Sequence, residues 1–487
     1  MPPPIGGACL PTETLRRARQ SVTHPPATVP VTSFAECLAR VCLAPASVVL
    51  KHEAWVRALL LDTLGCAVAA RGHAAVAHAA VAAAALGAGT AARGLGSALP
   101  LSASGAVLDS GAAIRALDYN DFYWGPGIGG HPSDLFAVGL SLAQRERSAL
   151  GELLGAMAVG YEIYLRILDR MDADGAFDHT SAMGLAGAAL GARLMRLDET
   201  RTAHALAMAA VLGPSMYALR QGAICEAKAA APALASLGAL AALDLARAGM
   251  TGPVHAAGGP RGLGGWLPEP QALAAPLEAT PAAWRLAHVS IKRYPCIGTA
   301  QAAVHAACEM HRAVRAAGGT LKAVQVRLTR STLIAHQTSD AYRRPDDRET
   351  ADHSFFSLMS MALCDGDLTP GHFERGRYRD PDVLRMSDRL RFDVTLPPRE
   401  AGQFCAELQA RLDDGRVIDV AVDRPPGHPL APLSADELLR KWRACCEGRI
   451  GAGARDALAQ ACLRDPLDVP VERLLQPLLQ APTDIEP

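Results

Sequence analysis

From Glu53 to Ala248 apolar residues return at the three-to-four spacing of a helix almost without a break. "EAWVRALLLDTLGCAVAA" carries Leu and Val at that spacing and stops near Arg71-Gly72, and "ASGAVLDSGAAIRALDYND" runs into Asp118. "SDLFAVGLSLAQRE" begins after His131-Pro132, and "SALGELLGAMAVGYEIYLRILD" opens on the capping candidate Ser148 with Glu152 behind it. "SAMGLAGAALGARLMRLD" puts Gly184, Ala188 and Gly191 on one face, which lets another helix come close. "DETRTAHALAMAAVLG" has Asp198 as its cap, and "AKAAAPALASLGALAALDLARAG" ends at Gly249. No repeat period links these segments, so they predict successive antiparallel helices rather than a solenoid. "AAVAHAAVAAAALGAG" is alanine broken by His78 and predicts a buried helix, not a membrane span.

Beyond Gly249 the pattern changes. "MTGPVHAAGGPRGLGGW" is a Gly-rich turn region that lacks the strand and helix context of a dinucleotide site. A helix is predicted after Pro295. "AVQVRLT", "LRFDVTL", "QFCAELQARL" and "VIDVAV" then alternate as strands do, and "SADELLRKWRACC" returns to helix with Ser434 as its cap. The fold class is mainly α: a large all-helical domain with a smaller α+β lid domain. The boundaries predicted are a flexible arm over 1–32, a helical domain over 33–287, a lid over 288–430 and a helical segment over 431–487 that rejoins the first domain.

Composition narrows the function. Alanine abundance with only 5% aromatic residues fits close-packed helices, and 487 residues suit two domains. The net charge is -1, without a basic half or interleaved Arg and aromatic residues, so nucleic-acid binding is not expected. Twelve cysteines include no CxxC pair, which points to reduced thiols and to no zinc framework. The Pro-rich beginning has no apolar core of a signal peptide, although "LRRARQS" leaves a transit-peptide reading open. A cytoplasmic location is expected.

The chemistry is concentrated where basic residues stand at predicted helix starts: His131, His179, Lys228 and Lys292-Arg293. Helix starts carry partial positive charge and ordinarily attract Asp or Glu, so a cation there suits a carboxylate or phosphate pocket. His353, after Asp352 in "RETADHSFFSLMSMAL", repeats the pattern, with Thr350 as a cap and Asp352 read as an ordinary first-turn residue. Asp118 and Asp121 share a face if their helix continues that far. An Asp118/His131 pair suits proton transfer; alternatively Asp118 and Asn120 only end the helix and Gly125–Gly130 only connects.

"ALDYND…GGHPSD", "FDHTSAMGLAGAALGARLMRLD", "LRQGAICEAKAAAPALASLGALAAL", "IKRYPCIGTAQAAVHAA" and "RETADHSFFSLMSMALCDGDLTPGHF" together, in this order, resemble the MmgE/PrpD family of 2-methylcitrate dehydratases and cis-aconitate decarboxylases. The resemblance implies a homodimer without metal or organic cofactor. It implies site residues at Asp118, His131, His179, Lys228 and Lys292, with Tyr342 a looser candidate substrate contact. Where the decarboxylases have threonine this chain has Phe122, and "YWGPGIGG" is a variation of its own. The expected activity is dehydration of a hydroxy di- or tricarboxylate, with His131 and His179 as base and acid, Asp118 orienting a ring, and Lys228, Lys292 and one imidazolium neutralising the substrate. Decarboxylation, isomerisation and silent carboxylate binding are the alternatives.

Overall fold

The computed structural model describes residues 32–479 apart from 174, 213, 221–223 and 401. The arm expected over 1–32 lies outside the described residues but for Thr32, and the described residues from Phe34 to Leu479 pack as one compact unit. Helices span Glu53–Ala69, Ala74–Ala85, Ala103–Arg115, Phe136–Arg145, Leu150–Leu168, Ala182–Leu194, Glu199–Val211 and Ala227–Arg247. Their alanine and leucine content favours helix and costs little side-chain entropy. Ser102 accepts from Gly105 N–H and Asp198 from Arg201 N–H, closing two of the N-termini. Ser148 does not cap. The cap position is Ala149, whose N–H donates to the Glu152 carboxylate at 2.9 Å, while the Ser148 hydroxyl is buried without a hydrogen-bond partner among the described residues.

Small residues set how close the helices come. A Cβ on Gly111 would lie 2.7 Å from the Ala233 Cβ, so the Ala103–Arg115 and Ala227–Arg247 helices touch backbone to backbone there. At Gly191 a Cβ would meet Leu243 at 2.3 Å, as the glycine stripe predicts. The Ala74–Ala85 helix differs from its expectation: only Ala75, Val76, Ala79 and Ala83 are buried, and Val81 is 75% exposed. Alanine is apolar enough to be taken for core, yet small enough to stand in water at little cost.

Two ribbons interrupt the helices: β1 (Ala88–Arg93) with β2 (Pro100–Leu101), and β3 (Tyr123–Trp124) with β4 (Gly129–Gly130). The later sheet has the order β6-β5-β7-β8, formed by β5 (Leu321–Thr329), β6 (Leu390–Leu396), β7 (Ala406–Leu412) and β8 (Val417–Val422). β5 runs parallel to β6 and antiparallel to β7. The helices Gln301–Ala317 and Phe355–Asp365 pack with this sheet in one hydrophobic cluster, from Tyr294 to Val422. The other cluster gathers Ala35 to Ile291 and, through Ala435–Cys446, Ala452–Arg464 and Val471–Leu479, the C-terminal helices. The changeover falls between Ile291 and Tyr294, on Lys292 and Arg293.

Those two cations do not open a helix. The helix begins at Gln301, after a 3-10 turn over Gly298–Ala300. Upstream of it, distant partners hold the backbone: Ser290 pairs with Phe122, Ile291 N–H reaches Gly427 O, and Ile297 N–H reaches Asp352 O. The Phe355–Asp365 helix is capped by Ser354, not Thr350, which lies in a short turn of its own capped by Asp347.

Candidate active site

The Ala103–Arg115 helix stops short of Asp118, which adopts φ 48°, the left-handed region that Asp tolerates better than most residues. That turn buries the carboxylate completely. Arg115 lies 3.2 Å from Oδ1, Lys228 Nζ 3.2 Å from Oδ2, and Lys292 Nζ bonds both Oδ1 and, at 2.8 Å, the Asp118 carbonyl. Lys228 reaches there from the first turn of the Ala227–Arg247 helix and also stands 3.4 Å from Asp352 Oδ1. Asp352, read from sequence as an ordinary first-turn residue, is fully buried and pairs with His353 Nδ1, whose Nε2 lies 3.5 Å from Asp118 Oδ2. Three buried cations therefore face two buried carboxylates.

His131 precedes the Pro132–Leu135 turn and is 6% exposed. Its Nδ1 is 2.7 Å from the Asp121 carbonyl, so Nδ1 carries the proton and Nε2 presents its lone pair 3.9 Å from Asp118 Oδ1. The ring is thus oriented by the Asp121 backbone rather than by Asp118. Asp121 does not share a helix face with Asp118, because the helix has already ended; its carboxylate accepts from Ser133 N–H, Ser133 Oγ and Tyr161 Oη. His179 opens the turn before Ala182–Leu194, with its ring centroid 5.5 Å from that of His131. Arg220 donates to its Nε2 at 2.9 Å while also pairing with Asp178, which leaves Nδ1–H to donate to Tyr164 Oη at 2.9 Å.

Burial lowers the affinity of both rings for a second proton, and Arg115 acts in the same direction, holding His131 well below the usual imidazole range and His179 at about 3. His353 is lowered too, by burial and then Lys228. These shifts favour the neutral form of all three rings, where one imidazolium was expected. Burial alone would raise the Asp118 carboxyl, but Arg115, Lys292 and Lys228 outweigh it and hold it well below the ordinary value. Asp118, Asp352 and His353 bring potential metal-ligand atoms within 4.8 Å of one another. Lys228 Nζ touches both carboxylates, however, and so takes the place a metal cation would occupy among them.

Asp118, His131, Lys228, Lys292 and His353 thus meet in one cluster, and His179 adjoins it through His131. Tyr342 makes none of the cluster's hydrogen bonds or ion pairs; its ring packs edge-on against His336 at 5.2 Å and its carbonyl accepts from Ser354. Arg293 turns aside to Asp367 at 3.6 Å. The sequence offered no signal for Arg115, Arg220 or Tyr164: Arg115 is the last residue of its helix, where a basic side chain is ordinary. Phe122 stands beside the cluster, its ring 6.0 Å from that of His131 and 5.9 Å from Lys292 Nζ. Gly298 is what admits it, since a Cβ there would come within 2.4 Å of the ring.

The chain matches the N-terminal domain of the MmgE/PrpD family over residues 33–275 and the C-terminal domain over 294–465. It is 25% identical to a cis-aconitate decarboxylase of Homo sapiens over 355 residues, 70% of this chain and 72% of that protein. It is 27% identical to a 2-methylcitrate dehydratase of Cupriavidus necator over 385 residues, 74% of this chain and 78% of the relative. An alkylcitrate dehydratase of Talaromyces stipitatus is 26% identical over 373 residues, 69% and 73% of the two chains. These relatives, dehydratases and a decarboxylase, support an enzyme of the lyase type. With the two domain matches covering most of its length, the chain belongs to the MmgE/PrpD family.

Proposed function

We propose that the protein is a lyase that needs no organic cofactor and dehydrates a 2-methylcitrate-like hydroxy di- or tricarboxylate. The observation that carries this reading is the excess of buried positive charge beside two neutral histidines. Arg115, Lys228 and Lys292 outnumber Asp118 and Asp352, so the cluster favours an anion. Dry surroundings make that attraction far stronger than it would be in water.

In this mechanism His131 Nε2 takes the proton from the carbon next to a substrate carboxylate. The electron pair left behind spreads onto that carboxylate, where Lys292 and Lys228 stabilise the developing charge. The pair then forms the double bond as the carbon–oxygen bond of the neighbouring hydroxyl breaks. A proton from the His179–Tyr164 pair joins the departing hydroxide, which leaves as water. Asp118 keeps both ammonium groups in place, and Asp352, itself paired with His353, holds Lys228 from the other side. Tyr342 is proposed as a further substrate contact that reaches the cluster when substrate binds. A homodimer and a cytoplasmic location are proposed on the family resemblance and are checked by sedimentation and cell fractionation.

The test is incubation of purified, chelator-treated protein with 2-methylcitrate, citrate, isocitrate and cis-aconitate, following enoate absorbance and CO2 together. Enoate formation without CO2 is expected. CO2 release from cis-aconitate would instead support the decarboxylase reading, favoured by the similarity to the human relative. Inactivity on all four, or loss of activity on chelation, would sink the proposal.

A further inference from the structure

Behind the cluster lies a second buried ion pair that the mechanism does not use. Lys441, on the Ala435–Cys446 helix, stands 2.6 Å from Asp62 on the Glu53–Ala69 helix, and both side chains are at most 2% exposed. The Lys441 ammonium is turned toward two backbone carbonyls as well, Tyr119 O at 2.9 Å and Lys292 O at 2.8 Å. It also sits 3.9 Å from the centre of the Tyr119 ring, whose hydroxyl donates to Arg293 O at 3.1 Å. One cation thus ties the residue after Asp118 to Lys292 itself, on segments far apart in the chain.

This matters because neither segment belongs to a helix. Asp118 has a left-handed backbone after its helix has ended, and Lys292 lies in an irregular stretch between the two hydrophobic clusters. Direct links between the stretches include the Lys292–Asp118 contacts, the Lys292–Phe122 ring contact, the Phe122–Ser290 bridge and the Tyr119–Arg293 bond. The helix bearing Lys441 is itself fixed, since a Cβ at Gly65 would lie 3.3 Å from the Trp442 ring. A charge buried this deeply is costly unless its geometry is excellent, and Lys441 has three oxygen partners.

We propose that Lys441 is a positioning residue: held by Asp62, it sets the distance between Asp118 and Lys292, so the C-terminal helix tunes the active site without touching substrate. An ion pair that only fastened one helix to another would be symmetric, both partners mattering alike. Positioning is asymmetric, because Lys441 alone reaches the two carbonyls.

The experiment compares Lys441→Met, Asp62→Asn and the apolar pair Asp62→Leu/Lys441→Met with the wild type. Turnover and hydrogen exchange of peptides covering 117–123 and 288–294 are measured for each. Misplacing reacting groups by about 1 Å costs roughly 10²-fold in rate. Lys441→Met is therefore expected to lose about that much kcat and to exchange faster in both peptides. Asp62→Asn, which leaves the ammonium within reach of the carbonyls, should lose much less. The apolar pair should recover thermal stability but neither kcat nor slow exchange. Equal losses in the two single variants, or recovery of both readouts in the apolar pair, would overturn the proposal. If neither Lys441 variant folds, Asp62→Asn and Lys441→Arg decide. Positioning predicts slower turnover and faster exchange for the arginine, whose fork cannot reproduce the ammonium's contacts, and wild-type behaviour overturns it. The turnover arm rests on the lyase reading. Should the wild type prove inactive on every carboxylate, that reading fails, while the exchange data still decide the positioning claim.

Discussion

Asp118 concentrates more charge than any other side chain in the site: it meets Arg115, Lys228 and Lys292 directly. In Asp118→Asn the shape and the left-handed backbone are both retained, since Asn also tolerates that region. Only the charge goes. Removing one partner from a buried pair costs about 3–5 kcal/mol, because the other charge remains buried and unpaired. A urea titration should show a loss of that order, and an unchanged midpoint would mean that Asp118 does not balance the cations. His131→Gln probes the neighbouring group differently. Glutamine has no basic nitrogen, so turnover should fall by about 10²–10⁴-fold while circular dichroism stays that of the wild type. Retained turnover would remove His131 from the role of base, and tighter binding of a tricarboxylate without turnover would not rescue it.

At the scale of elements, what brings Lys228 to Asp118 is a close helix contact. Gly111 and Ala233 let Ala103–Arg115 and Ala227–Arg247 approach until a further Cβ would lie 2.7 Å from its neighbour. Ala233 has no rotatable side chain to move aside, so Gly111→Val must push the helices apart. Overpacking of this kind costs about 1–3 kcal/mol. The same displacement carries Lys228 away from both carboxylates, so reduced stability and reduced kcat should appear together. A variant destabilised but fully active would show that the cluster does not depend on this contact. The glycine stripe of Ala182–Leu194 was legible in the sequence, whereas the partner of Gly111 was not, because helix pairing is a tertiary fact.

Across the whole molecule the buried groups set how stability depends on pH. His179 is lowered to about 3 and His73 to about 4, chiefly by burial, and His131 and His353 are lowered for the same first reason. Their native form is neutral, while in the unfolded chain they take up protons near 6.5. Their stabilising contribution is complete above that value and is lost as pH falls toward the folded values. Asp121 and Asp134, raised to about 7 by burial, act in the opposite sense: they stabilise at low pH, and this is lost as pH rises through 7. His52, His305, His372 and His428 are lowered by burial as well, so near pH 5 the histidines of the unfolded chain take up more protons than the two native carboxyls hold, and stability should rise with pH there. Urea midpoints should therefore rise from about pH 4.5 to 6.5, and Asp134→Asn should steepen that rise. A maximum below about pH 5 would contradict the neutral histidines.

By itself the sequence determined the main helices from Glu53 to Arg247 and the four later strands, because these rest on local rules: apolar spacing along a helix and alternation along a strand. It also marked Lys228, Lys292, His131, His179 and His353 as cations and imidazoles in unusual places, and the family resemblance joined them. Only the tertiary structure decided how they act. The Lys292 segment was read as a helix mouth, but its backbone is used by Phe122, Gly427 and Asp352, three distant parts of the chain that no local pattern reveals. Asp352 was read as an ordinary first-turn residue and is instead a buried counter-charge of Lys228. The histidines were expected to include an imidazolium, yet burial among Arg115, Lys228 and Lys292 leaves them neutral. Electrostatic character in a dry interior depends on which charges lie within a few ångströms, and that follows from packing rather than from position along the chain.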